Sequence, residues 1–271
     1  MNRRNLLTPI RNLRRFFAAV TAYLAASLVA SLLLSGCVTE STGGLPQPAP
    51  KAERAEAQLA VARGYIGASS WANAKRALEK VIALDSSLPE TYVLYAVAYE
   101  AEGELDLAER HYHRALRMAP SDPQALFNYG SFLQRRERYD DAATQLGKVV
   151  KNTEYRARAQ AYEALGLAEV ARGRTDAAIA AFQRALSLND QLAPSELELA
   201  LLAFDRNDLQ DAVRRYERYR TIGRPTARSL CVGMKIGVAV GNPDQVASSA
   251  LALKNLFPNS REAKSCQVQN P

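Results

Sequence analysis

The chain has 271 residues, and 48% of them are hydrophobic, so it can bury one large or two ordinary cores and is not an intrinsically disordered protein. Its formal net charge of +7 is concentrated at the start, because residues 1–36 hold five arginines and no acidic residue. The rest of the chain contains 30 basic residues (35 − 5) and 28 acidic residues. The remaining charge of +2 gives little support to nucleic-acid binding.

The first 36 residues have the layout of a secretory signal peptide. Arginines precede an apolar stretch of about 19 residues, from Phe16 to Leu34, which is also long enough to be a membrane anchor. The stretch ends in Leu34-Ser35-Gly36-Cys37, which resembles the bacterial lipobox. The resemblance implies cleavage before Cys37 and acylation of its thiol, so the covalent lipid, with fatty chains such as palmitate, takes the place of a cofactor. The alternative is an uncleaved anchor with an incidental cysteine.

Several acyl chains together hold a protein stably on a membrane. Val38 follows the predicted lipidation site, where an Asp would, by resemblance to enterobacterial lipoproteins, favour retention in the inner membrane. We therefore predict a lipid-anchored protein on the periplasmic face of the outer membrane. Residues 37–52 are rich in Gly, Pro and small polar residues, which predicts a lipidated N-terminus followed by a flexible tether.

Beyond the tether the sequence repeats with a period of about 34 residues. The segments AERHYHRALRMAP and AIAAFQRALSLN align small, aromatic and small residues at equal spacing, and they resemble the second helix of a tetratricopeptide repeat. The register places six repeat starts near Ala55, Pro89, Pro123, Ala159, Ala193 and Ala227.

In the second, third and fourth predicted repeats, the first helix carries aromatic or aliphatic residues around a small residue, which is Ala96, Gly130 or Gly166. A small residue is required there because the two helices of a hairpin touch at that point. Gly103 and Gly173 fall in the turns between paired helices, where left-handed backbone is needed. We predict an all-α, right-handed superhelical solenoid over residues 53–266, followed by a tail at 267–271.

Candidate catalytic and metal sites are few. His111 and His113 flank Tyr112 on a predicted helix and are expected to face solvent rather than to bind a metal. The segment RRYERYR at 214–220 mixes Arg and Tyr as nucleic-acid binders do, but the repeat register assigns its tyrosines to the core. No familiar catalytic motif is found, so we expect neither an enzyme, nor a nucleic-acid or small-molecule ligand, nor a metal.

Two cysteines remain after the predicted lipidation site. Cys231 and Cys266 form an even pair, which predicts a disulfide in an oxidising compartment. The alternative is one buried and one free thiol.

The concave groove of a tetratricopeptide solenoid is lined by set positions of the first helices. Several of these positions are apolar in this sequence, which indicates a surface for a helix or extended segment of a partner. The alternative is that neighbouring helices cover them. The predicted groove residues are Leu59, Ile66, Val93, Val97, Phe127, Asn128, Leu167 and Val170.

Four stretches make the resemblance more specific than the repeat. Asn128-Tyr129-Gly130-Ser131-Phe132-Leu133, RARAQAYEALGLAE, Ala227-Arg228-Ser229-Leu230 and LFPNSREA are similar to stretches of the type IV pilus lipoproteins of the PilF/PilW (pilotin) family. The resemblance spans the leader and all six repeats, although Gln134 stands where members often carry a cysteine.

The resemblance implies a pilotin, an outer-membrane lipoprotein that binds the PilQ-type secretin subunit and promotes its localisation, multimerisation or stability. A second class of function remains open. Tetratricopeptide lipoproteins also act as adaptors for cell-wall hydrolases or for outer-membrane protein assembly, and neither the anchor nor the solenoid separates the two.

Overall fold

The computed structural model describes residues 48–266. The predicted signal peptide, Cys37 and the tail at 267–271 lie outside the described residues, as does most of the tether. Within 48–266 the chain forms thirteen helices and no strand, which confirms the all-α prediction. They are α1 (Lys51–Gly67), α2 (Trp71–Leu84), α3 (Pro89–Ala101), α4 (Leu105–Met118), α5 (Pro123–Arg135), α6 (Tyr139–Val149), α7 (Arg158–Ala171), α8 (Thr175–Leu188), α9 (Ala193–Asp205), α10 (Leu209–Ile222), α11 (Ala227–Ala239), α12 (Pro243–Leu256) and α13 (Arg261–Ser265).

Six helical hairpins, α1–α2 to α11–α12, stack one on the next into a superhelical repeat fold. Each second helix packs against the first helix of the following repeat. First helices of neighbouring repeats also contact each other, whereas no comparable contact joins the second helices in the described chain. The first helices therefore lie on the inner, concave side of the curve.

Local sequence determines where several helices begin. Pro89, Pro123 and Pro243 stand at the first turn of α3, α5 and α12, where the missing N–H of proline costs nothing. At the start of α11, Thr226 and Ser229 form a reciprocal capping box.

The turn inside every hairpin uses the same backbone conformation at one residue. Repeat positions are counted from the starts given above, and position 15 has a positive φ in all six repeats, from 54° to 82°. A left-handed backbone at this position reverses the chain with a short turn. The residues at position 15 are Ser69, Gly103, Glu137, Gly173, Asn207 and Gly241.

The core lies between paired helices and between adjacent repeats. At position 8 the first helix of each of the first five repeats carries Ala or Gly, and in the third and fourth repeats a bulky residue of the second helix fills the space beside it. Gly130 faces Leu146 in this way and Gly166 faces Phe182, and all four residues are buried. The small residues thus set the distance at which the helices pack.

Two element boundaries differ from the predicted register. Helix α1 begins at Lys51, so the last two residues of the predicted tether are helical. Pro50 is the N-cap of this helix, and its carbonyl accepts the first helical hydrogen bond, from the backbone N–H of Arg54 at 3.0 Å. Helix α7 begins at Arg158, one residue before the predicted start.

Helix α13 begins at Arg261, which is 34 residues after the start of the sixth repeat at Ala227. It is therefore a truncated first helix of a seventh repeat, and it packs against α11 and α12 at the end of the stack. Within the described residues, no helix is both long and apolar enough to cross a bilayer.

Candidate docking surface on the first helices

Two of the predicted groove residues are not in the groove. Leu59 and Val93 retain only 1% and 3% of their accessible surface and pack into the core, so their assignment to the concave surface was wrong. Both stand at repeat position 5. Neighbouring first helices contact each other and cover these two side chains. Leu197 and Cys231, at position 5 of the fifth and sixth repeats, are buried as well.

The other predicted groove residues are accessible to different degrees. Leu167 is the most exposed of them, at 40% of its accessible surface. Ile66, Val97, Asn128 and Val170 are half-buried, and so is Phe127.

Phe127 is shielded by a loop that exists in only one repeat. The step between the third and fourth repeat starts is 36 residues instead of 34, and the longer loop places Tyr155 with its ring centroid 6.2 Å from that of Phe127. The Tyr155 hydroxyl donates a hydrogen bond to Gln124 Oε1 at 3.2 Å. Phe127 is therefore largely a packing residue.

In the first three repeats, the concave face is mixed, and three of its polar side chains are paired within the protein. Arg63 bonds Glu90 with Nε to Oε1 at 2.6 Å, and Arg135 bonds Glu100 with Nε to Oε1 at 2.5 Å. Gln134 donates from Nε2 to the backbone carbonyl of Ala164 at 2.8 Å. Arg63, Glu100 and Gln134 thus have partners within the protein.

The last three repeats present a different surface at the same positions. Position 9 is Leu167, Leu201 and Lys235 in these repeats, and position 12 is Val170, Phe204 and Val238. We call these six residues the C-terminal concave strip. Leu167, Lys235 and Val238 are exposed, Val238 at 54%, and the other three are half-buried.

Four members of this strip were not among the predicted groove residues: Leu201, Phe204, Lys235 and Val238. The signal was present, because steps of 34 residues from Leu167 and Val170 lead directly to them. The predicted groove ended at Val170 in the fourth repeat, whereas the strip continues through the fifth and sixth.

The carboxylates beside the strip are bound within the protein. Ser195 donates from Oγ to Glu163 Oε2 at 2.7 Å, linking α7 to α9. Arg228 on α11 makes a bidentate ion pair with the buried Glu198 on α9. Burial raises the pKa of Glu163 above its ordinary value, and the neighbouring charge of Glu198 adds to that rise.

The two histidines differ in their surroundings. His113 is exposed as predicted, and its Nε2 lies 3.3 Å from the hydroxyl oxygen of Tyr129. His111 is half-buried, and its ring stacks on Tyr95 and Tyr99 at 5.0 and 5.2 Å between centroids, so its predicted exposure was wrong. Burial lowers the pKa of His111, with Arg114 contributing. Residues 48–266 contain no cluster of three ligands that could hold a metal ion.

The RRYERYR segment lies on α10 as the repeat register predicts. Tyr216 and Tyr219 are buried, at 3% and 5% exposure. Its four arginines each pair with a carboxylate, and the ion pairs are Arg214–Asp211, Arg215–Glu196, Arg218–Asp190 and Arg220–Glu217. This face is thus an ordinary charged helix surface.

The structure joins Cys231 to Cys266 by a disulfide, with the Cα atoms 5.7 Å apart. Cys231 is at position 5 of α11, and Cys266 directly follows α13. Leu230, Met234 and Leu253 form the small apolar cluster beneath the bond. The bond fastens the truncated helix to the end of the stack.

The solenoid of paired helices, with a small residue at position 8 of its first five repeats and a left-handed turn at position 15 of all six, defines a tetratricopeptide-repeat protein. A family model described as tetratricopeptide repeat matches residues 59–123, 95–155 and 133–196. The chain is 30% identical over 237 residues to the type IV pilus assembly protein PilF of Pseudomonas aeruginosa, a match that covers 87% of this chain and 94% of that protein. The chain therefore belongs to the PilF family of tetratricopeptide-repeat proteins.

Solved structures agree with this assignment. The structure of Pseudomonas aeruginosa PilF superposes with a TM-score of 0.77 at 29% identity, covering 81% of this chain and 99% of that one. The structure of PilW, a widely conserved type IV pilus biogenesis factor, superposes with a TM-score of 0.71 at 23% identity, covering 80% and 99%. By sequence and fold, the protein is thus similar to type IV pilus assembly factors of the PilF type.

Proposed function

We propose that this protein is an outer-membrane pilotin that binds the PilQ-type secretin subunit and promotes its localisation, multimerisation or stability. The observation that carries the proposal is the exposed apolar side chain of Leu167 on the concave face of a PilF-family solenoid. Such exposed side chains on a curved helical surface favour binding of a partner segment.

The solenoid would act by holding, not by chemistry. Adjacent repeats are joined by helix packing, to which ion pairs between first helices, such as Arg63–Glu90 and Arg228–Glu198, add, so we expect the concave face to be a rigid support. A rigid support loses little conformational entropy when a partner binds.

The proposed membrane attachment depends on Cys37, where the lipobox resemblance predicts an acylated N-terminus. Acyl chains would tie the solenoid, and with it the bound secretin subunit, to the outer membrane. In a Cys37→Ala chain, partition into outer-membrane fractions should be lost. Unchanged partition, or a mature chain whose mass lacks a lipid, would overturn this part of the proposal.

To test secretin binding, this protein is cross-linked to its partners in native membranes and purified, and the secretin subunit that it retains is measured. Wild-type protein should retain the secretin subunit, and Leu167→Glu should retain much less, because a charge would replace an apolar contact. The matched control is Leu251→Glu, since Leu251 is 61% exposed on α12, outside the concave face.

Two results would contradict the proposal. One is that wild-type protein retains no secretin. The other is that it retains a cell-wall hydrolase or an outer-membrane assembly protein in place of secretin, which would support the adaptor function.

A further inference from the structure

The two halves of the concave face differ in chemistry. In the first three repeats, positions 9 and 12 hold four polar residues (Arg63, Glu100, Ser131 and Gln134) and two apolar ones (Ile66 and Val97). Arg63, Glu100 and Gln134 each bond to a partner inside the protein. In the last three repeats, five of the six residues at these positions are aliphatic or aromatic and the sixth is Lys235. A partner that covers Arg63, Glu100 and Gln134 must disturb internal bonds, whereas the strip offers apolar side chains at five of its six positions.

The strip consists of two parallel rows that cross α7, α9 and α11. Equivalent positions of successive repeats align in a solenoid, so the first row runs Leu167, Leu201, Lys235. The second row runs Val170, Phe204, Val238. Packed helices lie roughly 8 to 10 Å apart, so each row is about 20 Å long, which suits a short segment of a partner chain.

The charge of the strip is concentrated at one end. Helix α11 carries Arg228 and Lys235 and no carboxylate. Arg228 is engaged with Glu198, and Lys235 is exposed with no carboxylate within ion-pair distance in the described chain. On α7 and α9, Asp205 is the carboxylate that remains exposed, at the last residue of α9.

We propose that the C-terminal concave strip binds a partner segment in which apolar side chains are followed by an acidic side chain, and that this acidic side chain pairs with Lys235. Apolar side chains of the segment cover Leu167, Leu201, Phe204 and Val238. This inference rests on the proposed function, because the partner is taken to be the secretin subunit. It adds which half of the concave face binds the partner and which kinds of partner side chain that half contacts.

A membrane or nucleic-acid ligand fits this surface less well. Both require several free cations over an extended area, and the two rows contain one lysine among five apolar residues. A single ion pair at the end of an apolar row instead sets the direction and register in which a peptide segment lies.

The charge is tested with Lys235→Glu in the full, lipid-anchored chain, using secretin retained from native membranes as the readout. Lys254→Glu is the matched control, because Lys254 is an exposed lysine on α12, outside the strip. We expect Lys235→Glu to lower retention about tenfold at low salt and the control to leave it unchanged. If Lys235→Glu and Lys254→Glu retain equal amounts of secretin, the proposed ion pair with Lys235 is wrong.

The partner segment is identified by photo-cross-linking. A Val238→p-benzoylphenylalanine chain should cross-link to one secretin segment that contains an acidic residue, and a Leu251→p-benzoylphenylalanine chain should not. Cross-links to secretin from Leu251 alone, or from Val238 to a segment without an acidic residue, would overturn the inference while secretin binding stands. If wild-type protein retains no secretin at all, that result contradicts the proposed function, and with it the inference.

Discussion

The ring of Phe182 on α8 occupies the space beside Gly166 on α7 so closely that a β-carbon on Gly166 would lie 2.6 Å from Phe182 Cε1. Real side chains do not approach to that distance, and the buried ring has no room to withdraw. The contact shows why position 8 of the fourth repeat is a glycine.

Gly166→Ala should therefore lower the free energy of unfolding by about 1 to 3 kcal/mol through overpacking, measured by urea denaturation. Gly147→Ala is the control, because nothing lies within 4 Å of a β-carbon at Gly147 on α6. Alanine should stabilise that helix by about 0.5 to 1 kcal/mol. Changes of equal sign in the two variants would mean that the hairpin contact is not the cause.

The turn residue Glu137 tests the backbone rule at position 15. Its φ of 60° is costly for a residue with a β-carbon, so Glu137→Gly should raise the free energy of unfolding, by up to about 1 kcal/mol. Gly173→Ala places a β-carbon at the equivalent φ of 71°, with open space around it, and should lower stability by a similar amount. Thermal unfolding of both variants measures this, and a stabilised Gly173→Ala would refute the rule.

Much of the fold could be predicted from the sequence, because the same residue types recur at the same positions of successive repeats. Gly103 and Gly173 marked two turns by residue type, but Ser69 and Glu137 adopt the same left-handed backbone without any such mark. There the stacking of repeats forces the conformation, which local sequence does not reveal.

The candidate site was harder to predict than the fold. Leu59 and Val93 match the groove pattern, yet contact between neighbouring first helices buries them, and this contact depends on the curvature of the stack. The covering of Phe127 by Tyr155 likewise depends on how one longer loop folds back. Lys235 and Val238 lay within the repeat register, and following it through the last two repeats finds them.

The disulfide gives a prediction about the end of the stack. Because Cys231 and Cys266 are 35 residues apart in sequence, the bond should contribute on the order of 4 kcal/mol in the chain-entropy model. Reduction, or Cys266→Ser, should lower the denaturant midpoint. A Cys37→Ala chain should show no titratable thiol under denaturing, non-reducing conditions, and finding two thiols would contradict the bond.

Stability should also depend on Glu163. The pKa of Glu163 is higher in the folded state than in the unfolded state, so the folded protein keeps this proton to a higher pH. The contribution of Glu163 to the free energy of unfolding therefore falls as the pH rises from the pKa of the unfolded state through that of the folded state. Glu163→Gln removes the charge and should be more stable than wild type at neutral pH. The difference should shrink below the ordinary pKa of a glutamate, and a difference independent of pH would contradict this account.

The most direct test of the pilotin function is the ratio of multimeric to monomeric secretin in outer membranes. Cells that lack this protein, and cells that carry only Leu167→Glu, should contain mostly monomer, whereas wild-type cells should contain mostly multimer. A multimer fraction in cells that lack the protein equal to that of wild-type cells would contradict the proposal that this solenoid holds the secretin subunit during assembly.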